Sequence, residues 1–239
     1  MNIFKLQPAY VIHSRRFRET SLIVDCLTKD YGRISLLAKG VINKKSLKLG
    51  LLQQFSPILI AWRGRGDLPT ISALEAASPV KKLQGQSIFC GLYINEILLK
   101  LTDKGESHNQ LFPIYSACMQ DLLEAKNKKN KLQESLRRFE VGLLEELGLG
   151  MQLSLDQDRV AINPLKEYYY EMDSGPTSKL KNNKMIDGAS LLALARGKFD
   201  NDRQRHQALI LMRKAIAYHL GGRTIKSREL FREIYQAKN

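Results

Sequence analysis

Residues that hold metals or form cross-links are few in this sequence, and they are not grouped. Its three cysteines, Cys26, Cys90 and Cys118, lie far apart, and none belongs to a C-x-x-C pair. The four histidines, His13, His108, His206 and His219, are scattered in the same way. Disulfide scaffolds and zinc modules need clustered ligands. We therefore expect reduced, partly buried thiols, no metal and no cofactor. Long apolar runs are also missing. The candidates at 88–101 and 191–195 are short or broken by polar residues, which excludes a membrane-spanning helix. Residues 1–10 lack the basic-then-apolar layout of a signal peptide, so a cytoplasmic protein is expected. Catalytic signatures are absent as well: there is no G-x-x-x-x-G-K-[ST] loop, no G-x-G-x-x-G after a strand, no G-x-S-x-G elbow and no H-E-x-x-H. Glu145 and Glu146 are adjacent on a helical pattern, where sequence neighbours do not share a face. Asp25, Asp30, Glu75 and Glu96 stand alone. No enzymatic activity is expected, and a Mg²⁺-dependent nuclease would need a carboxylate cluster that the sequence does not offer.

Acidic residues are the other shortage, 24 against 38 Lys and Arg, for a net charge of +14. The excess is uneven: residues 1–79 carry +7, residues 80–173 carry −2 and residues 174–239 carry +9. Two basic ends around a near-neutral centre point to a polyanion that touches both.

Residues 8–78 read as strands. In 9–13, Val11 and His13 alternate against Tyr10 and Ile12. Residues 21–28 are β-branched and apolar, and the turn at 29–32 leads into a strand at 33–39 that Gly40 ends. A loop with Lys44, Lys45 and Lys48 follows. Next come an apolar run at 55–62, a Gly-rich turn with Arg63 and Arg65, and a last strand at 69–74. Five short strands in so little chain suit a small closed barrel, of OB, SH3-like or other type. Beyond Pro79 the period becomes helical. Ser87 is a candidate N-cap for a helix with Ile88, Leu92, Ile97, Leu98 and Leu101, and a second helix is expected over 108–125. The clearest apolar stripe is Leu132, Leu136, Phe139, Leu143, Leu144 and Leu147, ended by Gly148 and Gly150. Residues 149–186 are irregular, with a hairpin expected between 159–162 and 168–172. Helices resume at 189–196 and around Leu209, Met212, Ile216 and Leu220. A final short helix over 228–235 has Ser227 as its cap.

The expected barrel carries its cations at rims and loops: Arg15, Arg16, Lys39, Lys44, Lys45, Lys48, Arg63 and Arg65. Such a rim can follow a phosphate backbone, because each contact releases condensed counterions. Tyr10, Phe17, Tyr31, Phe55 and Trp62 are available for base stacking; core packing is the competing role, and the stronger one for Phe55 and Trp62. An OB barrel of this profile favours single strands over duplex. RNA remains the alternative ligand, as in an RNA-binding or ribosome-associated OB protein. An adaptor with incidental charge is a further rival.

Six pieces of this sequence, in order, resemble the bacterial recombination mediator RecO family. They are Arg18-Glu19-Thr20-Ser21-Leu22 with residues 31–40; residues 51–57 with Arg63-Gly64-Arg65-Gly66; Gly91-Leu92-Tyr93-Ile94-Asn95-Glu96; Leu136-Arg137-Arg138-Phe139-Glu140; residues 143–148; and Leu220-Gly221-Gly222-Arg223 with residues 226–232. The resemblance runs from about residue 9 to about residue 235. It implies an α+β multidomain protein: an N-terminal OB-fold β-barrel at 1–79, then a mainly α-helical domain at 80–239 with a small irregular insert at about 149–186. It implies binding of single- and double-stranded DNA, strand annealing, and help in loading RecA onto DNA, with RecR and the single-stranded-DNA-binding protein SSB as partners. Many members of the family carry a cysteine cluster after the central helix. Residues 149–186 here contain no cysteine, which places the resemblance with the zinc-free branch. An acidic SSB tail ending in an aromatic residue needs an apolar pocket rimmed by arginine. Family analogy assigns that rim to Arg137 and Arg138, with Arg137 as the first choice. The C-terminal excess of charge makes Arg223, Lys226 and Arg228 a second expected DNA contact, although a cation after a helix C-terminus is also favourable by ~0.3–1 kcal/mol for helix electrostatics alone.

Overall fold

A computed structural model describes residues 5–43, 48–64, 66–79, 82–178 and 185–236. Five strands, β1 (Gln7–Phe17), β2 (Ser21–Thr28), β3 (Gly32–Ala38), β4 (Pro57–Arg63) and β5 (Thr70–Ala76), close into a barrel in the order β1-β2-β3-β5-β4. A short helix, α1 (Lys48–Leu51), lies between β3 and β4. This is an OB-like barrel. Its neighbours are antiparallel except β3 and β5, which run parallel and meet at the pair Leu37 and Thr70.

Strand alternation explains how the barrel serves two cores. Ala9, Val11, Val24, Cys26, Leu36 and Ile60 point inward and fill the barrel with Trp62. The alternate residues Tyr10, Ile12 and Leu27 point outward, yet they are buried too, because they join the core of the helical region. One irregularity corrects the expected alternation. The register of β1 against β2 slips between Val11 and His13, so His13 pairs with Asp25 on the outer face rather than following Val11 inward.

Six helices follow the barrel among the described residues: α2 (Gln86–Leu101), α3 (Leu111–Glu124), α4 (Lys129–Glu146), α5 (Gly188–Arg196), α6 (Asp202–His219) and α7 (Lys226–Gln236). Their apolar faces meet through Ile94, Leu98, Tyr115, Phe139, Leu143 and Met212. Gly148, at φ +71°, ends α4 and lets the amide of Leu149 reach the Leu144 carbonyl at 2.8 Å. No helix among the described residues is long and apolar enough to cross a membrane.

Three local expectations are corrected. Ser87 does not cap α2; the helix begins after Gly85, the Ser87 hydroxyl donates to the Leu122 carbonyl, and the Ser87 amide donates to Asn127 Oδ1. Ser227 lies inside α7, whose first amides are capped from α2 instead. The hairpin in the irregular region joins β6 (Glu167–Glu171) to β7 (Gly175–Thr177), with β8 (Ile186–Asp187) on the other side of β6. Residues near 160 fold back on themselves. Asp156 Oδ1 accepts from the amides of Asp158 and Val160, and Ala161 bridges only to Leu155.

The barrel is tied to the helices at two places. Asn95 of α2 donates to the Ile12 carbonyl at 2.8 Å and accepts from Tyr115 at 2.7 Å, while Tyr10 and Ser116 share a hydrogen bond of 3.0 Å. The connection from α2 to α3, residues 102–110, crosses the outer face of β2 and β3. Arg33 donates to the hydroxyl and carbonyl of Thr102, the Gly105 amide donates to the Arg33 carbonyl at 2.9 Å, and Lys104 approaches Asp25 at 3.9 Å. Gly32 permits this approach. It sits at φ +60°, and a Cβ there would stand 1.9 Å from the Glu106 carbonyl oxygen.

Candidate nucleic-acid interface

The exposed cations of the barrel lie at strand ends and turns. Arg15 and Arg16 occupy the last positions of β1, Lys39 follows β3, Lys48 opens α1 and Arg63 ends β4; all five are exposed. Lys44, Lys45 and Arg65 lie outside the described residues. Arg18, in the turn from β1 to β2, belongs with this set although residue reasoning alone did not single it out. It sits at φ +55° with its guanidinium 5.3 Å from the centre of the Phe17 ring. The run of Arg15, Arg16 and Arg18 was the signal for it. Among the described residues, no ion pair engages Arg15, Arg16, Arg18, Lys39, Lys48 or Arg63. Exposed cations without a carboxylate partner keep their charge available to an external phosphate. Register places Arg15 opposite Ile23, which is opposite Leu37, so Arg15 stands on the outer face of the β1-β2-β3 sheet. The turns between β1 and β2 and between β4 and β5 flank the face that OB barrels use for oligonucleotides.

The aromatic residues divide between surface and core. Trp62 fills the barrel, Tyr10 packs between Phe112 and Tyr115, and Phe55 packs at the edge of the helical core beside Gly91. Tyr31 is the exposed one at 42%, with its ring edge-on to Trp62.

The C-terminal cations are spread around α7. Arg223 and Lys226 are exposed, and Arg223 donates to the Leu220 carbonyl at 3.0 Å. Arg228 is half-buried; it lies over the Tyr93 ring at 4.9 Å and donates to its hydroxyl at 3.0 Å. Tyr93 in turn donates to Glu140 at 2.6 Å. Arg213 belongs to the same neighbourhood: burial and then the charges of Arg228 and Arg137 push its pKa down.

Arg137 and Arg138 do not share an environment. Arg137 is buried at 3% exposure and paired with Glu140, which is fully buried; Nε to Oε2 and Nη2 to Oε1 are each 2.6 Å. The side chain of Arg138 is 45% exposed, pairs with Asp121 at 2.6 Å and donates to the Gly197 carbonyl at 3.2 Å. Helical spacing explains the split, since adjacent residues point about 100° apart.

Glu96 anchors α7 from α2. Its two oxygens accept from the amides of Lys226 at 2.9 Å and Ser227 at 2.8 Å, and Lys100 pairs with it at 2.7 Å. Burial pushes its pKa up, but the hydrogen bonds from Lys100, Ser227 and Lys226 outweigh that and hold it at about 2. The folded-state value is depressed, so this stabilisation is complete above the ordinary glutamate range and fades as pH falls from about 4.5 toward 2. The Lys226 and Ser227 amide resonances should therefore move with pH in that window in nuclear magnetic resonance spectra. In Glu96→Gln they should not titrate.

Burial pushes all three thiols up, Cys90 to about 11 and Cys118 to about 12. They are free thiols, Cys26 and Cys118 buried and Cys90 half-buried. The described residues contain no group of three or more His, Cys, Asp or Glu placed to hold a metal ion.

Residues 1–80 match the family described as "Recombination protein O N terminal", and residues 83–229 match "Recombination protein O C terminal". Proteins named "DNA repair protein RecO" align along nearly the whole chain. The one from Dechloromonas aromatica is 40% identical over 235 residues, covering 96% of each chain. The one from Nitrosococcus oceani is 38% identical and covers 98% of this chain and 95% of its own. The one from Methylococcus capsulatus is 39% identical, covering 95% and 93%. An OB-like barrel with a basic rim, a helical region matching its own family description and relatives matched from end to end agree on one assignment: this chain belongs to the RecO family of DNA repair proteins.

Proposed function

We propose that this RecO-family chain binds single- and double-stranded DNA without making or breaking covalent bonds, anneals complementary strands, and acts in the cytoplasm with RecR to load RecA onto DNA coated by SSB. The observation that carries the reading is the set of exposed barrel cations that join no ion pair among the described residues: Arg15, Arg16, Arg18, Lys39, Lys48 and Arg63. Phosphates replace condensed counterions on such a surface, and the release of those ions drives binding. Annealing follows from the same charge. Two complementary strands repel each other; a cationic protein holding one lowers that repulsion for the second, while the bases stay free to pair. Arg223, Lys226 and Arg228 are proposed as a second DNA contact, and Lys44, Lys45 and Arg65 as further parts of the first. The barrel at 1–79 and the helical region at 80–239 are proposed as the two domains. Family membership supports the partners SSB and RecR.

The test is fluorescence anisotropy of a labelled single strand titrated across salt concentrations, with an RNA of matched sequence as competitor. Micromolar or tighter binding that weakens steeply with salt and prefers DNA is expected. Binding that ignores salt overturns the reading, and a preference for RNA favours the ribosome-associated alternative.

For the SSB tail, Arg138 is the accessible partner, since the Arg137 guanidinium already holds Glu140 inside the core. A tail carboxylate would compete with Asp121 for Arg138. Charge-assisted hydrogen bonds contribute about 1.5–3 kcal/mol, so Arg138→Ala should weaken a tail peptide about tenfold to a hundredfold in calorimetry while leaving single-strand affinity unchanged.

A further inference from the structure

Arg33 is an arginine out of place. It lies on the outer face of β3, because Ile34, Leu36 and Ala38 take the inward positions. It is nonetheless only 8% exposed. Its guanidinium donates to Thr102 Oγ1 at 3.1 Å and to the Thr102 carbonyl. No carboxylate pairs with it among the described residues. Buried guanidinium groups are ordinarily neutralised by an anion. What covers this one is Thr102, the C-cap of α2 whose hydroxyl donates to the Leu98 carbonyl at 2.7 Å, together with the connection to α3 that starts there. That connection is otherwise exposed over residues 103–107, and among the described residues it meets the sheet through the Gly105 amide on the Arg33 carbonyl, Lys104 at 3.9 Å from Asp25, Ser107 Oγ at 3.4 Å from the Asp30 carbonyl and the close backbone approach of Glu106 to Gly32. Its exposed Asp103 and Glu106 are carboxylates laid over the face of a basic barrel.

The sheet beneath continues a track already described. Opposed residues share a face in an antiparallel pair, so Arg15, Ile23 and Leu37 form one outer row and Leu27 and Arg33 another, in which Leu27 lies under the helical core and Arg33 beside residues 102–107. Between them, Asp25 accepts from the Ser35 hydroxyl and lies 3.5 Å from His13. Exposed Tyr31 stands in the turn that leads into β3, two residues before Arg33. We infer that residues 102–107 form a strap over a second half of the DNA-binding face, and that Arg33 is a latent phosphate ligand of single-stranded DNA which the strap uncovers when it lifts. In the closed state the Thr102 oxygens occupy the guanidinium donors. In the open state a phosphodiester takes them in the same forked geometry. This inference rests on the reading that the barrel binds single-stranded DNA, and the experiment separates the two.

Gly105→Pro removes the amide that ties the strap to Arg33 and disallows the φ of +80° found there. Measured by anisotropy with labelled oligo-dT, it should bind about tenfold tighter than the parent and lose more affinity as salt rises. Adding Arg33→Gln to it should remove that gain, and Arg33→Gln alone should bind more weakly than the parent. Equal affinity in Gly105→Pro and the parent, with both folded by circular dichroism, overturns the inference. Hydrogen exchange on the unmodified protein decides independently of any variant's folding. Saturating oligo-dT should speed exchange at residues 103–107 and slow it in β2 and β3. Unchanged or slower exchange in the strap overturns the inference. Absence of salt-dependent binding to oligo-dT in the unmodified protein is instead the failure of the underlying reading.

Discussion

Glu140→Ala is expected to lower the free energy of unfolding by about 3–5 kcal/mol, the range for removing one partner of a buried ion pair. Glu140 has no exposed surface, and it receives both the Arg137 guanidinium and the Tyr93 hydroxyl. Without it, Arg137 stays buried and unpaired in a neighbourhood that also holds Arg213 and Arg228. Urea unfolding of the single and double variants measures this directly. The double variant Arg137→Ala/Glu140→Ala should cost less than the sum of the two single changes, since neither charge is then stranded. A Glu140→Ala loss below about 1 kcal/mol would show that the pair is not desolvated in solution. The same pair complicates a tail-binding test at Arg137, because Arg137→Ala should unfold part of the protein before it reports on any ligand. Arg138, held at the surface, is the informative position.

Reversing the barrel cations has the largest expected effect on binding. Each phosphate neutralised on a single strand contributes about −0.7 to the slope of log affinity against log salt. If Arg15, Arg16, Lys39 and Arg63 each take one phosphate, the quadruple change to Glu should make the slope shallower by roughly 3. It should also weaken binding by orders of magnitude at low salt. The four side chains are exposed and join no ion pair among the described residues, so stability should be nearly unaffected. An unchanged salt slope in this variant would place the DNA elsewhere on the protein.

The parts of the fold that sequence revealed are those with strong local periodicity. Alternation in β1 to β5 and the apolar stripe of α4 each follow from geometry that neighbouring residues set. What escaped was decided over long distances. Nothing near Ser227 says that a carboxylate 131 residues earlier in the chain will cap its helix, so the nearer serine was the natural choice. Likewise, Asn127 rather than Ser87 serves the start of α2, because the chain after α3 returns there. The bulge at Ile12 turned His13 outward, and a period of two cannot anticipate one inserted residue. For the interface, the basic residue types were legible but their exposure was not. Arg137 and Arg138 are chemically alike and adjacent, yet one is an internal counter-ion and the other a surface group. Arg33 reads as an ordinary strand residue, because its Thr102 partner lies 69 residues further along the chain.

The outward side of β1 has a bearing on biosynthesis. The barrel's last strand ends at Ala76, but Tyr10, Ile12 and Leu27 find their cover only once α2 and α3, which ends at Glu124, have been made. At about 5–20 residues per second, a nascent barrel would wait roughly 2–10 s on the ribosome with an oily flank bare. A chaperone that recognises apolar β-surface would find its client in that interval, and a ribosome stalled between those two points would release a product prone to stick to its neighbours.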